Sequence, residues 1–305
     1  MSARRPIPGL DALPPRPGLA PWQRGTLHTH TTLCDGAHTP AQMAAAALRQ
    51  GFCTLGFSGH SPLPGQDWCM PAARLPLYRA EVRRLQKKYA GRLEILCGIE
   101  WDACSSALLR PAGPGAPPLL GPEYAPQSWD YWIGSVHMLP GPQSGRLLSV
   151  DWGPDFAALA AEYPNGQALV RDYYQALAAL AAQKPGILGH FDLPCKLNGD
   201  GRVFVETSAE YQTAALAALA AADPSASLLE INTGAMARGF LARPYPAQFL
   251  LRAWRARGGR VVLTADAHSA GALRYAYTAA AGWARAAGYT EVWTLQASGP
   301  KALPI

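Results

Sequence analysis

Residues 26–30 read Thr26-Leu27-His28-Thr29-His30 and combine a short apolar strand with two histidines at its carboxyl end. Side chains two residues apart in a strand point to the same side, so His28 and His30 can reach one ion. Six further stretches share this layout of an apolar strand that ends in a polar residue: 53–60, 93–100, 131–137, 186–190, 227–232 and 261–268. An α/β barrel gathers such residues at the carboxyl ends of successive strands to build its site.

The segments between these strands carry helix signals. Thr39-Pro40-Ala41-Gln42 combines an N-cap, a proline at the first helical position and a capping-box glutamine, and it predicts a helix to Gln50. Further helices are predicted over residues 75–90, 170–184, 208–222, 246–257 and 270–288. Parallel neighbouring strands need such crossover connections, so the alternation indicates an α/β fold. Seven strand units favour a closed or nearly closed barrel over two separate domains.

Composition limits the classes of partner. The chain has 305 residues, of which 49% are hydrophobic and 16% charged, so it can bury the core of one large domain. Its net charge of +6 and pI near 9.1 favour anionic ligands. No basic stripe interleaved with aromatic residues is present, so nucleic acid is not an expected partner.

The N-terminal residues differ in composition from the rest of the chain. Residues 1–22 are rich in proline and predict an irregular extension, which leaves 23–305 as a single domain. No apolar segment typical of a secretory signal or a membrane span occurs, and the six cysteines form no C-x-x-C pair. We therefore expect a cytoplasmic protein with reduced thiols and no membrane partner.

The remaining candidate ligands lie at or just after strand ends. Asp266-x-His268 repeats at the last strand the same-side geometry of His28 and His30. Glu100 ends an apolar run in which an unpaired buried carboxylate would be costly, so a metal ion is the better partner. The other candidates are Asp35, His60, His137 and His190. Together these residues predict a metal centre.

These motifs resemble a known family. After H-x-H and its following aspartate come G-F-S-G-H-S-P (56–62), G-I-E (98–100), G-S-V-H (134–137), G-H-F-D (189–192), E-I-N-T-G (230–234) and D-A-H (266–268). In this order they resemble the polymerase and histidinol phosphatase (PHP) superfamily, and within it the histidinol-phosphate phosphatase branch. The resemblance runs from about Thr26 to about Trp293.

The resemblance implies a distorted seven-stranded (β/α)7 barrel with a trinuclear metal centre at the carboxyl ends of its strands. It implies three divalent transition-metal ions, with zinc, iron and manganese all suited to these ligands. The first ion would be held by His28, His30, Glu100 and Asp266, the second by Glu100, His137 and His190, and the third by Asp35, His60 and His268.

The implied activity is hydrolysis of L-histidinol phosphate to L-histidinol and inorganic phosphate, in histidine biosynthesis, by attack of a metal-bridging hydroxide. Glu100, Asp266 and His268 would be catalytic. Arg238, Lys196 and Ser61 are the predicted substrate-binding residues, and position alone suggests Asp67, Asp192 and Tyr173 for the imidazole and amine. The alternative is a PHP phosphoesterase that acts on nucleotide or nucleic-acid 3′-phosphates. The sequence leaves the oligomeric state open.

Overall fold

Twelve strands and eight α-helices follow one another in a computed structural model that describes residues 18–111, 113, 116–199 and 201–305. The strands are β1 Gly25–Thr26, β2 Thr54–Phe57, β3 Glu94–Cys97, β4 Ile99–Asp102, β5 Trp132–Ser135, β6 Met138–Pro140, β7 Leu147–Ser149, β8 Ile187–Leu188, β9 Leu228–Asn232, β10 Arg260–Thr264, β11 Glu291–Gln296 and β12 Gly299–Pro304. The helices are α1 Pro40–Arg49, α2 Leu75–Tyr89, α3 Gly153–Glu162, α4 Gly166–Ala181, α5 Ala209–Ala221, α6 Gly234–Ala237, α7 Gln248–Ala256 and α8 Tyr277–Ala286.

Local sequence signals explain where several helices begin. At α1 the Thr39 hydroxyl accepts from the Gln42 amide at 3.2 Å, and the Gln42 side chain accepts from the Thr39 amide at 2.9 Å, which is the predicted capping box. The predicted helix over 270–288 is shorter than expected. Its first residues form a 3-10 turn, and Ala276 adopts a left-handed conformation (φ 52°) directly before α8.

The strands form two main sheets. A three-stranded parallel sheet has the order β1-β2-β3, and a seven-stranded sheet has the order β12-β11-β10-β9-β8-β5-β4. Only β11 and β12 pair antiparallel within the second sheet, and β6 and β7 form a separate antiparallel hairpin. The prediction of an α/β fold with mostly parallel strands is therefore confirmed.

The closed seven-stranded barrel is not found among the described residues. Gly98 separates β3 from β4, and an added Cβ at Gly98 would lie only 2.4 Å from the Tyr131 ring. The Tyr131 hydroxyl donates to the carbonyls of Leu27 and Phe57, so this aromatic side chain fills the space between the two sheets. At their carboxyl ends the sheets are joined by two isolated parallel bridges, Thr29 with Ala267 and His60 with Glu100.

The core has two main parts. A large cluster packs the helices against the sheets, and a smaller one holds side chains from successive strands together with Tyr131. Of the predicted extension 1–22, residues 1–17 lie outside the described part, while Trp22 packs against the large cluster. No helix in the described part of the chain is both long enough and apolar enough to cross a membrane.

Candidate metal centre

The Glu100 carboxylate lies at the middle of a buried group of histidines. Glu100 is the second residue of β4, and its neighbours come from the ends of β1, β2, β5 and β8. Five imidazole nitrogens approach it: His190 Nε2 at 2.9 Å and His137 Nε2 at 3.3 Å from Oε1, and His60 Nδ1 at 2.9 Å, His28 Nε2 at 3.2 Å and His30 Nε2 at 3.4 Å from Oε2. One carboxylate therefore joins five histidines from four strand ends.

Asp266 and Asp35 extend this group toward the surface. Asp266 Oδ1 lies 3.2 Å from His30 Nε2, and Asp35 Oδ2 lies 3.0 Å from His268 Nε2 and 3.6 Å from His60 Nε2. Asp266 follows β10 in a left-handed conformation (φ 48°), a strained backbone for a non-glycine residue that is common at functional sites. The bend brings its carboxylate to the end of β1.

All nine predicted ligands fall into four overlapping groups of donor atoms that lie within 4.8 Å of one another. The groups are His30, Asp35, His60 and His268; His28, His30 and Asp266; His28, Glu100 and His190; and His60, Glu100 and His137. They differ from the three predicted ligand sets, because His30 joins the third set and Glu100 groups apart from Asp266. Four donors belong to two groups each, so the assignment of ligands to individual ions stays a prediction.

Several donor atoms are better placed to bind a cation than to form hydrogen bonds with one another. His28 Nε2, His30 Nε2 and Glu100 Oε2 are buried and have no hydrogen-bond partner, although they approach within 3.2–3.4 Å. A buried polar atom without a partner is costly, and a cation placed among these three lone pairs would satisfy them together. Imidazole and carboxylate donors suit zinc, manganese and iron.

The protonation of the metal-free site follows from its charges. Burial lowers the pKa of His30 to about 3, assisted by the neighbouring His268 and His60, so this imidazole is neutral and ready to bind a metal. Burial also disfavours the charge on His60, but Glu100 and Asp35 outweigh it and raise its pKa to about 9. Despite burial, the pKa of Glu100 is held well below its usual value by the surrounding histidines. Ion binding is therefore expected to release protons.

Two carboxylates around these ligands were missed from the sequence. Asp102 Oδ2 accepts from the His137 amide at 2.8 Å and lies 3.2 Å from His137 Nδ1. Glu230 contacts His28 Nδ1 at 2.6 Å. Glu230 stands inside the apolar strand β9, so it carries the same signal that identified Glu100, namely a carboxylate in a strand with no exposed face.

The centre forms the floor of an open cavity of about 700 Å³. Arg238 and Lys196, the two cations that we predict to bind a phosphate, line its wall. Both are already paired: Arg238 Nη2 donates to Asp266 Oδ2 at 2.9 Å, and Lys196 Nζ donates to Asp151 Oδ2 at 2.8 Å. Their side chains are 31% and 9% exposed, so Arg238 is the more accessible cation.

Ser61 does not line this cavity. Its hydroxyl lies 2.8 Å from the Ser105 hydroxyl and accepts from the Asp102 amide at 3.0 Å, so it braces the loop after β2. The sequence could not show this, because Ser105 is remote in the chain.

Of the residues suggested for the imidazole and amine, only Asp67 lines the cavity. Asp192 is buried against Arg243, 3.2 Å away, and the buried Tyr173 hydroxyl donates to the Phe191 carbonyl at 3.2 Å. The aromatic part of the wall is Trp68, which stands edge-on to His60 and His137, and the exposed Trp152. Aromatic and acidic groups therefore surround the entrance.

Comparisons with known proteins agree with this site. A family model described as the PHP domain matches residues 26–234. The chain is 34% identical over 259 residues to a Deinococcus radiodurans protein named "Probable histidinol-phosphatase", covering 82% of this chain and 88% of that protein. It is 28% identical over 268 residues to the histidinol-phosphatase of Bacillus subtilis, covering 83% of this chain and 96% of that one.

A solved structure shares the fold. The histidinol phosphate phosphatase from Lactococcus lactis, complexed with zinc, L-histidinol and phosphate, aligns with a TM-score of 0.64 at 20% identity. The alignment covers 92% of this chain and 99% of that one. With strand-end histidines and carboxylates gathered as the motifs require, and with the family model matching more than half of the sequence, the chain belongs to the PHP-domain family, among the histidinol-phosphatases.

Proposed function

We propose that the protein is a phosphomonoesterase that hydrolyses L-histidinol phosphate to L-histidinol and inorganic phosphate. The observation that carries the proposal is the gathering of nine metal-type donors, seven of which line one cavity, in a chain whose curated relatives are named histidinol-phosphatases. The cavity of about 700 Å³ is large enough for a small phosphomonoester. The solved structure from Lactococcus lactis is a complex with zinc, L-histidinol and phosphate.

The nine donors would hold the divalent ions, which we propose to be three in number and drawn from zinc, iron or manganese. We propose that the ions are held by the three ligand sets expected from the family. We also propose that Glu100, Asp266 and His268 are the catalytic residues. Ions bound here would supply Lewis acidity to the phosphate and lower the pKa of a water for in-line attack. The protein must hold its donors in place, and the hydrogen bonds that Glu100 makes with Ser135 and that the His137 amide makes with Asp102 do so.

Arg238 is the residue that we assign to the phosphate group itself. Its guanidinium is planar and stands at the cavity wall, between Asp266 and His268, with Nη1 3.1 Å from His268 Nδ1. A guanidinium at this place would donate to a phosphate oxygen and neutralise its charge. Lys196 would act at longer range, because Asp151 already balances its charge.

We further propose that residues 23–305 form one domain whose two sheets make up a distorted seven-stranded barrel. The two bridges at the strand ends and the mixed core cluster between the sheets support this arrangement. A cytoplasmic location is also part of the proposal. All six cysteines are free in the structure, which is typical of a reducing compartment.

Substrate identity is tested with a panel of phosphomonoesters that contains L-histidinol phosphate and 3′,5′-bisphosphorylated nucleosides. We expect histidinol phosphate to give the highest kcat/KM and the purified protein to contain divalent metal. Preferred hydrolysis of the nucleosides would favour the alternative, a phosphoesterase for 3′-phosphates. The cationic residues of α2, which a basic groove could have used, do not line the cavity, and two of them, Arg83 and Arg84, pair with Asp130 and Glu81.

A further inference from the structure

Glu230 is a fully buried carboxylate at the centre of β9. Its exposure is 0%, and it lies between the apolar residues Leu229 and Ile231. It belongs to none of the four donor groups, so it is not placed to bind an ion directly. A carboxylate in such a position needs partners for both oxygens. Glu230 has four.

Each oxygen of Glu230 accepts two hydrogen bonds from a different part of the site. Oε1 lies 2.6 Å from His28 Nδ1 and accepts from the Thr264 hydroxyl at 2.6 Å. Oε2 accepts from the His190 amide at 2.6 Å and from the Asn232 side-chain amide at 2.9 Å.

These contacts decide which nitrogen of His28 carries a proton. Three groups already donate to the two oxygens of Glu230, so the carboxylate acts as the acceptor here, and we assign Nδ1 as the N–H that faces it. In the neutral imidazole that binds a metal, the Nε2 lone pair is then available to the ion, and Nε2 lies 3.2 Å from Glu100 Oε2 and 3.6 Å from Asp266 Oδ1. The hydrogen bond from the His190 backbone amide to Glu230 also fixes the start of the loop that carries the His190 ring.

We propose that Glu230 is a positioning residue that fixes His28 in its Nδ1–H form and seats His190, so that both imidazoles present Nε2 to the metal centre. The inference rests on the proposed metal-dependent function. It gives Glu230 a role in ion affinity in addition to its role in joining β8, β9 and β10.

Glutamine at this position would be close in shape but wrong in chemistry. All four partners of Glu230 act as donors, so an amide N–H2 would face two donors whichever way the side chain turned. If the amide N–H2 faced His28, Nδ1 would lie against a donor, and the proton would no longer be favoured on Nδ1. If it faced His190, the backbone amide of a ligand would lose its acceptor.

The test compares Glu230→Gln with the wild type and with Glu94→Gln. Glu94 is also a strand carboxylate, on β3, but it contacts Thr54 and the Ala297 amide and belongs to none of the four donor groups, so it controls for a loss of charge. Zinc affinity is measured by chelator competition, and the ring nitrogens of 15N-histidine are observed by NMR in the zinc-loaded protein. We expect zinc affinity to fall about 10- to 100-fold in Glu230→Gln and to stay within about twofold in Glu94→Gln.

The outcomes distinguish the role of Glu230 from the proposed metal-dependent function. A folded Glu230→Gln protein with wild-type zinc affinity and an unchanged histidine spectrum would overturn the role of Glu230 alone. A wild type that binds no zinc, manganese or iron would overturn the proposed function, and this inference with it. Should Glu230→Gln not fold, the wild-type spectrum still decides, because a zinc-loaded His28 with its proton on Nε2 would refute the assignment.

Discussion

Replacing Glu100 with glutamine tests the metal centre most directly. The Glu100 carboxylate meets five imidazole nitrogens at 2.9–3.4 Å and accepts from the Ser135 hydroxyl at 2.7 Å. Glutamine keeps the shape, but it removes the one negative charge that all five rings share and turns an N–H2 toward some of them. We expect kcat to fall more than about a hundredfold, the scale of losing a principal electrostatic group in an active site.

The same change should weaken the metal-free protein. Burial disfavours the charged forms of His28 and His137, but nearby carboxylates, Glu100 among them, hold both pKa values well above the usual range. Without Glu100 these rings lose a buried counter-charge, and removing one partner of a buried ion pair costs about 3–5 kcal/mol. Urea unfolding after chelation measures this loss, phosphate release measures kcat, and elemental analysis measures bound metal. Near wild-type turnover with full metal content would refute the assignment of Glu100, and Glu94→Gln serves as the control.

Three further changes test the other parts of the site. Arg238→Lys should lower kcat/KM for histidinol phosphate about tenfold with metal content unchanged, since a lysine keeps the charge but loses the fork; equal kinetics for wild type, lysine and alanine variants would make Arg238 a surface charge. His60→Ala and His268→Ala should each remove about one ion, and the double variant should lose no more than either alone, because residues that act as a unit are not additive; a loss of two ions would separate them into two sites. Asp151→Asn should reduce the free energy of unfolding by about 3 kcal/mol, because it leaves the largely buried Lys196 without its partner; an unchanged urea midpoint would show that solvent already screens the pair.

Much of the site was accessible from the sequence because strand geometry is periodic. In a parallel α/β fold every strand ends at the same edge, so a polar residue at the end of an apolar run can be placed without knowing the tertiary structure. His28, His30 and Glu100 were identified in this way, and the structure brings them together with the other six candidates. The start of α1 at its N-cap Thr39 could also be predicted, since a capping box is a local interaction.

What the sequence did not show depends on contacts between distant residues. Lys196 pairs with Asp151, which is 45 positions away, and nothing local signals that its charge is balanced. The β6–β7 hairpin that follows His137 was also not predicted. Nor could the division of the strands into two sheets be foreseen, or the Tyr131 ring that lies against Gly98, because that contact joins residues distant in the chain.

Asp266 links the donor groups on the floor of the cavity to the wall that we propose binds phosphate. Oδ1 faces His30 at 3.2 Å, whereas Oδ2 accepts from Arg238 at 2.9 Å, so the two oxygens of one carboxylate serve different partners. The guanidinium also reaches His268, with Nη1 3.1 Å from Nδ1. An incoming phosphate would thus meet an Arg238 whose orientation is already set by ligands of the centre, which reduces the entropy lost on binding. Because Arg238 pairs with Oδ2 whereas Oδ1 faces His30, we expect the variant to bind its ions normally and to fail at the substrate, which its kinetics and metal content measure.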